Sequence, residues 1–581
     1  MKPFQKFLLA PVALGLASPL AASAADLNLG AVNRYATGSS EAQVTSVSQF
    51  SDVRPTDWAY QALANLVENY GCVAGYPNST FKGVQPLTRY EAAALLNSCL
   101  DRVTEVTDEI KKLMGEFDSE LTVLRGRVDK LEAKVGQLEA TQFSTTTKLR
   151  ADTRWVLGGL SYSGNQVNGN NTYGRGATQQ TLRDALTFNY DVRLNFDTSF
   201  TGKDLLKTQL RAGNFAESGF SSTNNVTRLA QLDAAYEEGC GTGDCGDVAS
   251  INRLYYRFPV GKTFTAVIGP RFRQDDGLAV RPSVYNADKI LKLWDFNGAP
   301  GAYSQVLGGG AALWWKQPGK TGFSFGGVYV AGNADSGQPT AGAGCNAYAA
   351  STLGAATNTN CGGIGNALSQ QTGSLQLAYT GKNWNLTGMY TYNSAGVGIA
   401  GTPLSQALLP TVYGGPGSGS VSSWGLSGYW QPIQSGAFPS ISAGWGYNDY
   451  NYGGAVASAT TFNVSDAASQ SWFVGLNWRD VFAKGNAFGF AFGQPTFVTS
   501  LTNRRGVDVS TQDGNYALEA YYKFQVTDKI SVTPAVFWLS RARGELTNAA
   551  ATLGTAVTNP GLSGNSTLST FGGLIQTTFR F

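Results

Sequence analysis

Most of the chain alternates apolar or aromatic residues with polar ones, which is the period of a β-strand. From 148 to 581, short alternating segments are separated by tight turns and by long loops rich in Gly, Ser and Asn. The clearest hairpin runs through Leu375 and Leu377, turns at Gly381 and returns through Trp384. In such a hairpin one face meets lipid and the other meets water, so the pattern predicts an all-β transmembrane barrel of antiparallel strands.

The spacing of the tight turns sets the expected number of strands. Each turn joins two strands, and an opening strand (149–157) and a closing strand (571–581) flank the set. The seven turns are expected at Gly202-Lys203, Gly261-Lys262, Gly319-Lys320, Gly381-Lys382, around Pro432, at Gly485-Asn486 and at Asp528-Lys529. This predicts about sixteen strands, with the short turns and both barrel ends in the periplasm and eight long loops outside. A soluble β-sandwich is the alternative, which the many Trp and Tyr residues near strand ends disfavour.

Two helical patterns separated by a turn precede the barrel, over residues 50–102. In the first, apolar residues recur at helical spacing after the N-cap Asp57; in the second they recur after Thr88, whose Glu91 completes a capping box. The turn between them is Gly75-Tyr76-Pro77-Asn78. The pattern predicts a small all-α module.

Residues 103–141 repeat apolar positions every seven residues. The first seam consists of Val103, Ile110, Phe117, Leu124, Leu131 and Leu138. A second seam runs beside it and changes phase near Phe117, and the remaining positions are densely charged. This arrangement is typical of a coiled-coil helix. The alternative is an amphipathic helix folded onto a neighbouring domain.

Residues 1–24 have the pattern of a secretory signal peptide. Lys2 and Lys6 precede an apolar stretch that ends in the small residues Ala22-Ser23-Ala24. The mature chain is therefore expected to leave the cytoplasm. The alternative, an apolar N-terminal anchor, is disfavoured because the stretch is short and is broken by Pro11 and Pro19.

Composition excludes several classes of function. The 581 residues include 43 Lys+Arg against 40 Asp+Glu, and the net charge of +3 gives no field that would attract nucleic acid. Histidine, the usual catalytic base and a common metal ligand, is absent from the sequence. The sequence also contains no phosphate-cradling glycine loop and no metal-binding cluster. We therefore expect no enzyme activity, no cofactor and no metal site.

Six cysteines in a secreted chain indicate disulfides. They fall into local couples, which predict the pairs Cys72–Cys99, Cys240–Cys245 and Cys345–Cys361, the last two in external loops. Proximity is the only argument for these pairs, since six cysteines allow about 15 pairings. A metal site is the alternative, but the sequence has no histidine and no C-x-x-C pair to support it.

The strand positions opposite the lipid-facing ones are expected to face the lumen of the barrel. In the first five strands these positions hold nine basic and three acidic residues, and the basic ones are Arg150, Arg154, Arg193, Lys207, Arg211, Arg253, Arg257, Arg271 and Arg273. Such an excess would form a cationic ladder that attracts anions. The alternative is that several of these arginines pair with acids of an inward-folded loop. Residues 274–303, with Asp275, Asp276, Asp288 and Asp295, are the expected constriction.

The all-α module over 50–102 resembles an S-layer homology (SLH) domain through Phe50-x-Asp52-Val53, Trp58-Ala59, Gly71-x-Val73-x-Gly75-Tyr76-Pro77, Phe81 and Leu87-Thr88-Arg89-x-Glu91. The resemblance implies attachment to peptidoglycan or to a pyruvylated wall polymer. Its site would be formed by Asp52, Trp58, Gly75, Tyr76, Thr88, Arg89 and Glu91. Arg89 would pair with the acid of the polymer. Asp52 and Glu91 have alternative roles as a turn former and a capping-box acceptor.

The order of SLH module, coiled coil and barrel resembles the cyanobacterial outer-membrane porins, whose barrels are of the carbohydrate-selective (OprB) type and some of which are iron-uptake porins. The terminal Phe581 is similar to the signal by which outer-membrane barrels are recognised for assembly. The resemblance implies passive diffusion of small hydrophilic solutes and inorganic ions. It also implies a barrel in outer-membrane lipid, an SLH module and coiled coil in the periplasm, and, with the heptad seam, a homotrimer. The alternatives are a structural tether between membrane and wall, and a sugar-selective channel.

Overall fold

The computed structural model of this protein describes residues 46–57 and 60–69, scattered positions between 71 and 134, and most of 146–581. Within the last range the description leaves out 165–166, 169–171, 174–179, 222–227, 237–247, 338–361, 367–368, 411–418, 435, 453–463, 504–505, 507, 509–512 and 542–566. The chain divides into two compact units, Met1–Gln142 and Phe143–Phe581. The predicted signal peptide and most of the predicted coiled coil lie outside the described residues.

Sixteen strands of the second unit form one closed antiparallel barrel, in which each strand pairs with its neighbours along the chain and the first pairs with the last. The barrel strands are β1 Thr147–Ser163, β5 Thr187–Thr198, β6 Leu205–Gly213, β7 Ser250–Val260, β8 Phe264–Arg273, β9 Leu307–Lys316, β10 Gly322–Ala331, β11 Gln371–Thr380, β12 Trp384–Ser394, β13 Ser420–Trp430, β14 Ser440–Asn451, β15 Val464–Arg479, β16 Ala487–Asn503, β17 Ala517–Thr527, β18 Ile530–Leu539 and β19 Ser569–Arg580. The short strands β2 Val167–Asn168, β3 Thr172–Tyr173 and β4 Gln180–Thr181 form a separate sheet in the loop after β1. The predicted sixteen-stranded barrel is confirmed.

The tight turns fall where the sequence predicts them. The turns between β5 and β6 and between β7 and β8 contain Gly202 and Gly261, whose φ angles are 76° and 65°. Glycine adopts this left-handed conformation without the steric cost of a Cβ atom. The barrel closes where the backbone amide of Ala151 donates to the carbonyl oxygen of Phe581 at 2.7 Å.

The two faces of each strand differ as the alternation predicts. Leu375 and Leu377 of β11 are 64% and 59% exposed, whereas Gln376 between them is 4% exposed. Where β1 meets β19, the rings of Trp155 and Phe579 pack edge to face with centroids 4.8 Å apart. The apolar face is therefore the outer, lipid-facing surface. A search of the described residues for a helix long and apolar enough to span a membrane finds none.

Two loops fold into the lumen. The first inner loop lies between β6 and β7, where residues 214–221, 228–236 and 248–249 are described, and the second inner loop is residues 274–306, between β8 and β9. They contain short 3-10 helices at Arg228–Ala230, Gln274–Gly277, Tyr285–Ala287 and Lys292–Phe296. Phe220 and Leu232 of the first loop and Trp294 of the second belong to one buried apolar cluster with inward side chains of the barrel. A further short helix, Pro403–Ala407, follows β12.

The second inner loop runs along the inner face of β11–β17. Its backbone carbonyl oxygens at Asn297, Gly298 and Gly301 accept hydrogen bonds of 2.8–2.9 Å from Ser427, Ser471 and Asn393 in turn. A β-carbon at Gly446 of β14 would lie 2.7 Å from the α-carbon of Ala299, so glycine gives the loop room at this point. The polar inward side chains of these later strands therefore bind protein backbone.

The first unit has a small core formed by Val47, Phe50, Leu63, Val67, Val73 and Cys99. A 3-10 turn spans Val47–Gln49, and the helix Tyr60–Ala64 continues as a π-helix over Asn65–Asn69. The predicted second helix lies outside the described residues apart from Cys99. Cys99 forms a disulfide, and the other five cysteines lie outside the description, so the three pairings stay predictions.

Candidate functional site

The lumen holds a charged cavity of about 560 Å³ between the two inner loops and the inner faces of β1, β5–β8 and β17–β19. Its lining residues include eleven basic and four acidic side chains. The basic ones are Arg154, Arg193, Lys207, Arg211, Arg253, Arg273, Arg281, Lys289, Lys292, Lys523 and Arg580. This positive lining makes the cavity the candidate functional site of the barrel.

Asp191 of β5 organises the strand side of this cavity. Its fully buried carboxylate lies 2.8 Å from the guanidinium of Arg193 on the same strand and 2.6 Å from that of Arg211 on β6. Six residues further along β5, Asp197 pairs with Lys207 of β6 at 2.9 Å and with Arg150 of β1. These strand cations are therefore held by strand acids next to them.

Asp233 of the first inner loop reaches the same wall. Its Oδ2 accepts a 2.8 Å hydrogen bond from Arg154 and lies 3.6 Å from Arg193, while its Oδ1 lies 3.3 Å from Lys289 of the second inner loop. Burial alone would raise the pKa of Asp233, but Lys289, Arg193 and Arg154 hold the pKa well below its ordinary value. The carboxylate is therefore ionised at neutral pH.

The second inner loop places further acids against strand cations. Asp276 lies 2.6 Å from Arg253 of β7, and Asp275 lies 2.5 Å from Arg273 of β8. Asp288 lies 3.0 Å from Lys523 of β17 on the opposite wall. The loop is thus fixed to both sides of the barrel by ion pairs.

Asp295 is a shared acidic neighbour of two lysines of this loop and of one arginine of β8. It pairs with Lys292 at 2.7 Å and with Lys289 at 3.0 Å, and it lies 3.6 Å from Arg273. Burial would raise the pKa of Asp295, but the neighbouring cations hold it well below its ordinary value. For Lys292 burial dominates, and together with the nearby Arg273 it lowers the pKa to about 8.

Six of the nine basic residues predicted to face the lumen line this cavity: Arg154, Arg193, Lys207, Arg211, Arg253 and Arg273. Arg150, Arg257 and Arg271 are not among its lining residues. The geometry matches the paired alternative more closely than an uncompensated ladder, because all six lie within 4 Å of an acidic side chain. The lining still carries more positive than negative charge.

Several residues of the site were not found from the sequence. They are Asp233, Lys289, Lys292, Lys523 and Arg580, of which the first three lie in loops without a strand or helix period. The signal that could have found the lysines is the segment Asp288-Lys289-Ile290-Leu291-Lys292-Leu293-Trp294-Asp295. Four charged and four large apolar residues are mixed within these eight positions, in contrast to the Gly- and Ser-rich loops elsewhere in the barrel.

Only one of the predicted wall-binding residues lies in the described part of the chain. Asp52 accepts a 2.7 Å hydrogen bond at Oδ1 from the backbone amide of Phe81. This bond fits the turn-forming role that was the alternative to polymer contact. Trp58, Gly75, Tyr76, Thr88, Arg89 and Glu91 lie outside the described residues.

Two family models match the sequence. The model described as "Carbohydrate-selective porin, OprB family" matches residues 107–561, and the S-layer homology domain model matches residues 49–93. An uncharacterized protein of Nostoc sp. is 35% identical over 582 residues, covering 95% of this chain and 88% of that protein. Another, of Synechocystis sp., is 32% identical over 550 residues, covering 87% of this chain and 90% of that protein.

Two further kinds of similarity are more limited. Outer membrane protein SlpA of Thermus thermophilus is 32% identical over 111 residues, which cover 18% of this chain and 12% of that protein. Among solved structures, OprB of Pseudomonas putida aligns with a TM-score of 0.41 and 12% identity, covering 75% of this chain and 94% of that chain. The anion-selective porin from Comamonas acidovorans aligns with a TM-score of 0.40 and 10% identity, covering 75% of this chain and 99% of that chain.

Proposed function

The chain belongs to the carbohydrate-selective porin (OprB) family, and on that premise we propose that the charged cavity of its lumen selects the solutes that pass. The protein is an outer-membrane porin whose SLH domain attaches the membrane to the cell wall. Small hydrophilic solutes and inorganic ions cross the barrel by passive diffusion. The barrel lies in outer-membrane lipid, with the SLH domain on the wall side.

The pore prefers anions to cations. The observation that carries this proposal is the lining of the cavity, with eleven basic and four acidic side chains around one space. A lumen surrounded by low-dielectric protein and lipid focuses such a field, which raises the local concentration of anions and lowers that of cations. Most of the cations have an acidic partner, so we expect a moderate preference and not the exclusion of cations.

The reversal potential of the purified protein in planar bilayers, measured across a salt gradient, tests the anion preference. Arg580→Gln is the informative variant, because Arg580 lines the cavity and has no ion-pair partner within the described part of the chain. Its loss therefore removes a positive charge without leaving a buried acid unpaired. We expect the anion-to-cation permeability ratio to fall severalfold, in line with the ~1 kcal/mol interaction of unit charges about 4 Å apart in water.

Arg257→Gln is the matched control, because Arg257 is a strand arginine that does not line the cavity. It should change the ratio less than Arg580→Gln does. Equal effects of the two variants would show that the cavity is not where selection occurs. A protein that gives no ion current at all would leave only the role of a structural tether between membrane and wall.

The wall partner is a pyruvylated polymer linked to peptidoglycan, or peptidoglycan itself, and Arg89 pairs with its acidic group. Arginine suits this role because its planar guanidinium forms two parallel hydrogen bonds to a carboxylate. Removing the pyruvyl groups from isolated walls should then reduce binding of the protein to the walls.

The porin is a homotrimer. The heptad seam over 103–141 supports this proposal. Sedimentation of the protein as a monomer in mild detergent would contradict it.

A further inference from the structure

Asp233 occupies a junction of three structural elements. It lies in the first inner loop, and its carboxylate approaches Arg154 of β1, Arg193 of β5 and Lys289 of the second inner loop at 2.8, 3.6 and 3.3 Å. A second lysine of that loop, Lys292, lies 4.0 Å away. One carboxylate is therefore the shared counter-ion of four cations.

The backbone around Asp233 ties the two inner loops together. Its amide donates to the carbonyl oxygen of Ile290 at 2.8 Å, and the amide of Lys292 donates to the carbonyl oxygen of Gln231 at 2.9 Å. Leu232 and Leu291 form an antiparallel bridge between these bonds. The two loops thus meet as a short ribbon inside the barrel, and the Asp233 side chain projects from this ribbon toward the cationic wall.

The carbonyl oxygen of Asp233 adds contacts to the same wall. It accepts hydrogen bonds from Arg193 at 3.0 Å and from Arg211 at 3.3 Å. Arg154 binds the carboxylate of Asp233, so three strand arginines donate hydrogen bonds to this one loop residue. Without that residue's negative charge, these arginines and the two loop lysines would repel one another in a space of low dielectric.

We propose that Asp233 determines the charge selectivity of the pore, both by neutralising this cation cluster and by positioning Lys289 and the three strand arginines around the cavity. The inference rests on the proposed function of the cavity as the selecting part of the diffusion path. Asp233 acts on the permeating ion partly through the cations it holds, so it is a positioning residue as well as a charge in the lining.

Asp288→Asn provides the control for Asp233→Asn. Both aspartates line the cavity, and each substitution removes one negative charge without changing the shape of the side chain. Asp288, however, has a single ion-pair partner among the described residues, Lys523, at 3.0 Å. A pure charge effect predicts the same shift in reversal potential for both variants. The shared counter-ion role predicts a larger shift for Asp233→Asn, because four cations each lose one of their counter-ions, whereas Asp288→Asn removes the counter-ion of Lys523.

In planar bilayers we expect Asp233→Asn to raise the anion-to-cation permeability ratio on the order of fivefold. We also expect noisier open-channel current, since the ribbon loses its ionic contact with the wall. Asp233→Glu should restore both the ratio and the quiet current. Equal shifts for Asp233→Asn and Asp288→Asn, with equally quiet currents, would overturn the inference.

A double variant distinguishes the effect of the lost charge from misfolding of the Asp233→Asn protein. Asp233→Asn combined with Lys289→Gln removes one charge of each sign, while Asp295 keeps Lys292 at 2.7 Å. Its permeability ratio should return close to that of the unmodified porin, and a ratio as high as in the single variant would contradict the proposal. A cation preference in the unmodified porin would overturn the proposed anion selectivity alone, because Asp233→Asn should still shift the ratio toward anions.

Discussion

Lys292 shows how burial changes the charge of a single residue in the cavity. Its ammonium group pairs with Asp295 at 2.7 Å, yet burial and the nearby Arg273 outweigh this pair and lower its pKa to about 8. The pKa of a lysine side chain in water is about 10.4. Because its pKa is lowered, Lys292 is protonated at neutral pH and loses its proton at mildly alkaline pH.

The anion preference of the pore should therefore fall as the pH rises from 7 to 9. Below pH 8 Lys292 adds a positive charge to the lining, and above pH 8 this charge is absent. Reversal potentials in a fixed salt gradient at several pH values measure the effect. Lys292→Gln is the control: it should have a lower anion preference than the unmodified protein at pH 7 and the same preference at pH 9. A constant difference between the two proteins across this range would contradict the assignment.

At the scale of elements, β17 binds the second inner loop through two charged side chains, Glu519 and Lys523. Glu519 of β17 is 1% exposed and accepts hydrogen bonds from the hydroxyl of Tyr285 at 2.8 Å and from the backbone amides of Ile290 and Leu291 at 3.2 and 2.5 Å. Three donors of the loop thus share one carboxylate. Lys523, four residues further along the strand, binds Asp288 of the same loop.

Replacing this carboxylate should loosen the loop. Glu519→Leu leaves three buried donors without an acceptor, and each such group costs about 1–3 kcal/mol. We expect a lower temperature of heat unfolding in detergent and noisier single-channel current. Tyr285→Phe removes only one of the three hydrogen bonds and should give a smaller change in the same direction. If Tyr285→Phe destabilised the barrel as much as Glu519→Leu, the amide bonds of Ile290 and Leu291 would contribute nothing.

Strands and inner loops differ in how far the sequence could predict them. The strands and tight turns follow from alternation and from Gly-Lys pairs such as Gly202-Lys203, because these features are set by local geometry. The first inner loop was not expected to enter the lumen, since Leu232 packs against residues distant in the sequence and has no local period. The constriction at 274–303 was expected from its acids, but its path along β11–β17 depends on contacts such as Asn393 to Gly301.

The residues of the cavity also differ in how far the sequence could predict them. The inward position of Arg154 and Arg211 follows from strand parity, and both line the cavity. Parity also points to Arg257, which does not line it, because parity gives the face of the strand on which a residue lies and not its place along the strand relative to the loops. Asp233 is a single acid in an irregular segment, so no pattern in the sequence could show that four cations surround it.

At the scale of the whole molecule, the proposed coiled coil over 103–141 would link wall attachment to the number of subunits. A single SLH domain binds wall polymer with one site, whereas three parallel helices would bring three SLH domains together and increase the avidity of attachment. Deleting 103–141 should therefore weaken retention of the porin on isolated cell walls. Conductance should stay the same, because the charged cavity is formed entirely by residues of the second unit.

A Gly/Ser linker of equal length in place of 103–141 separates oligomerisation from reach. A flexible linker can extend further than a helix of the same number of residues, but it has no apolar seam on which helices could associate. If the seam provides avidity, the linker variant should be retained as poorly as the deletion and should sediment with fewer subunits than the unmodified porin. If the linker variant bound walls normally, the segment would act as a spacer, and the trimer would have to be held together by the barrels alone.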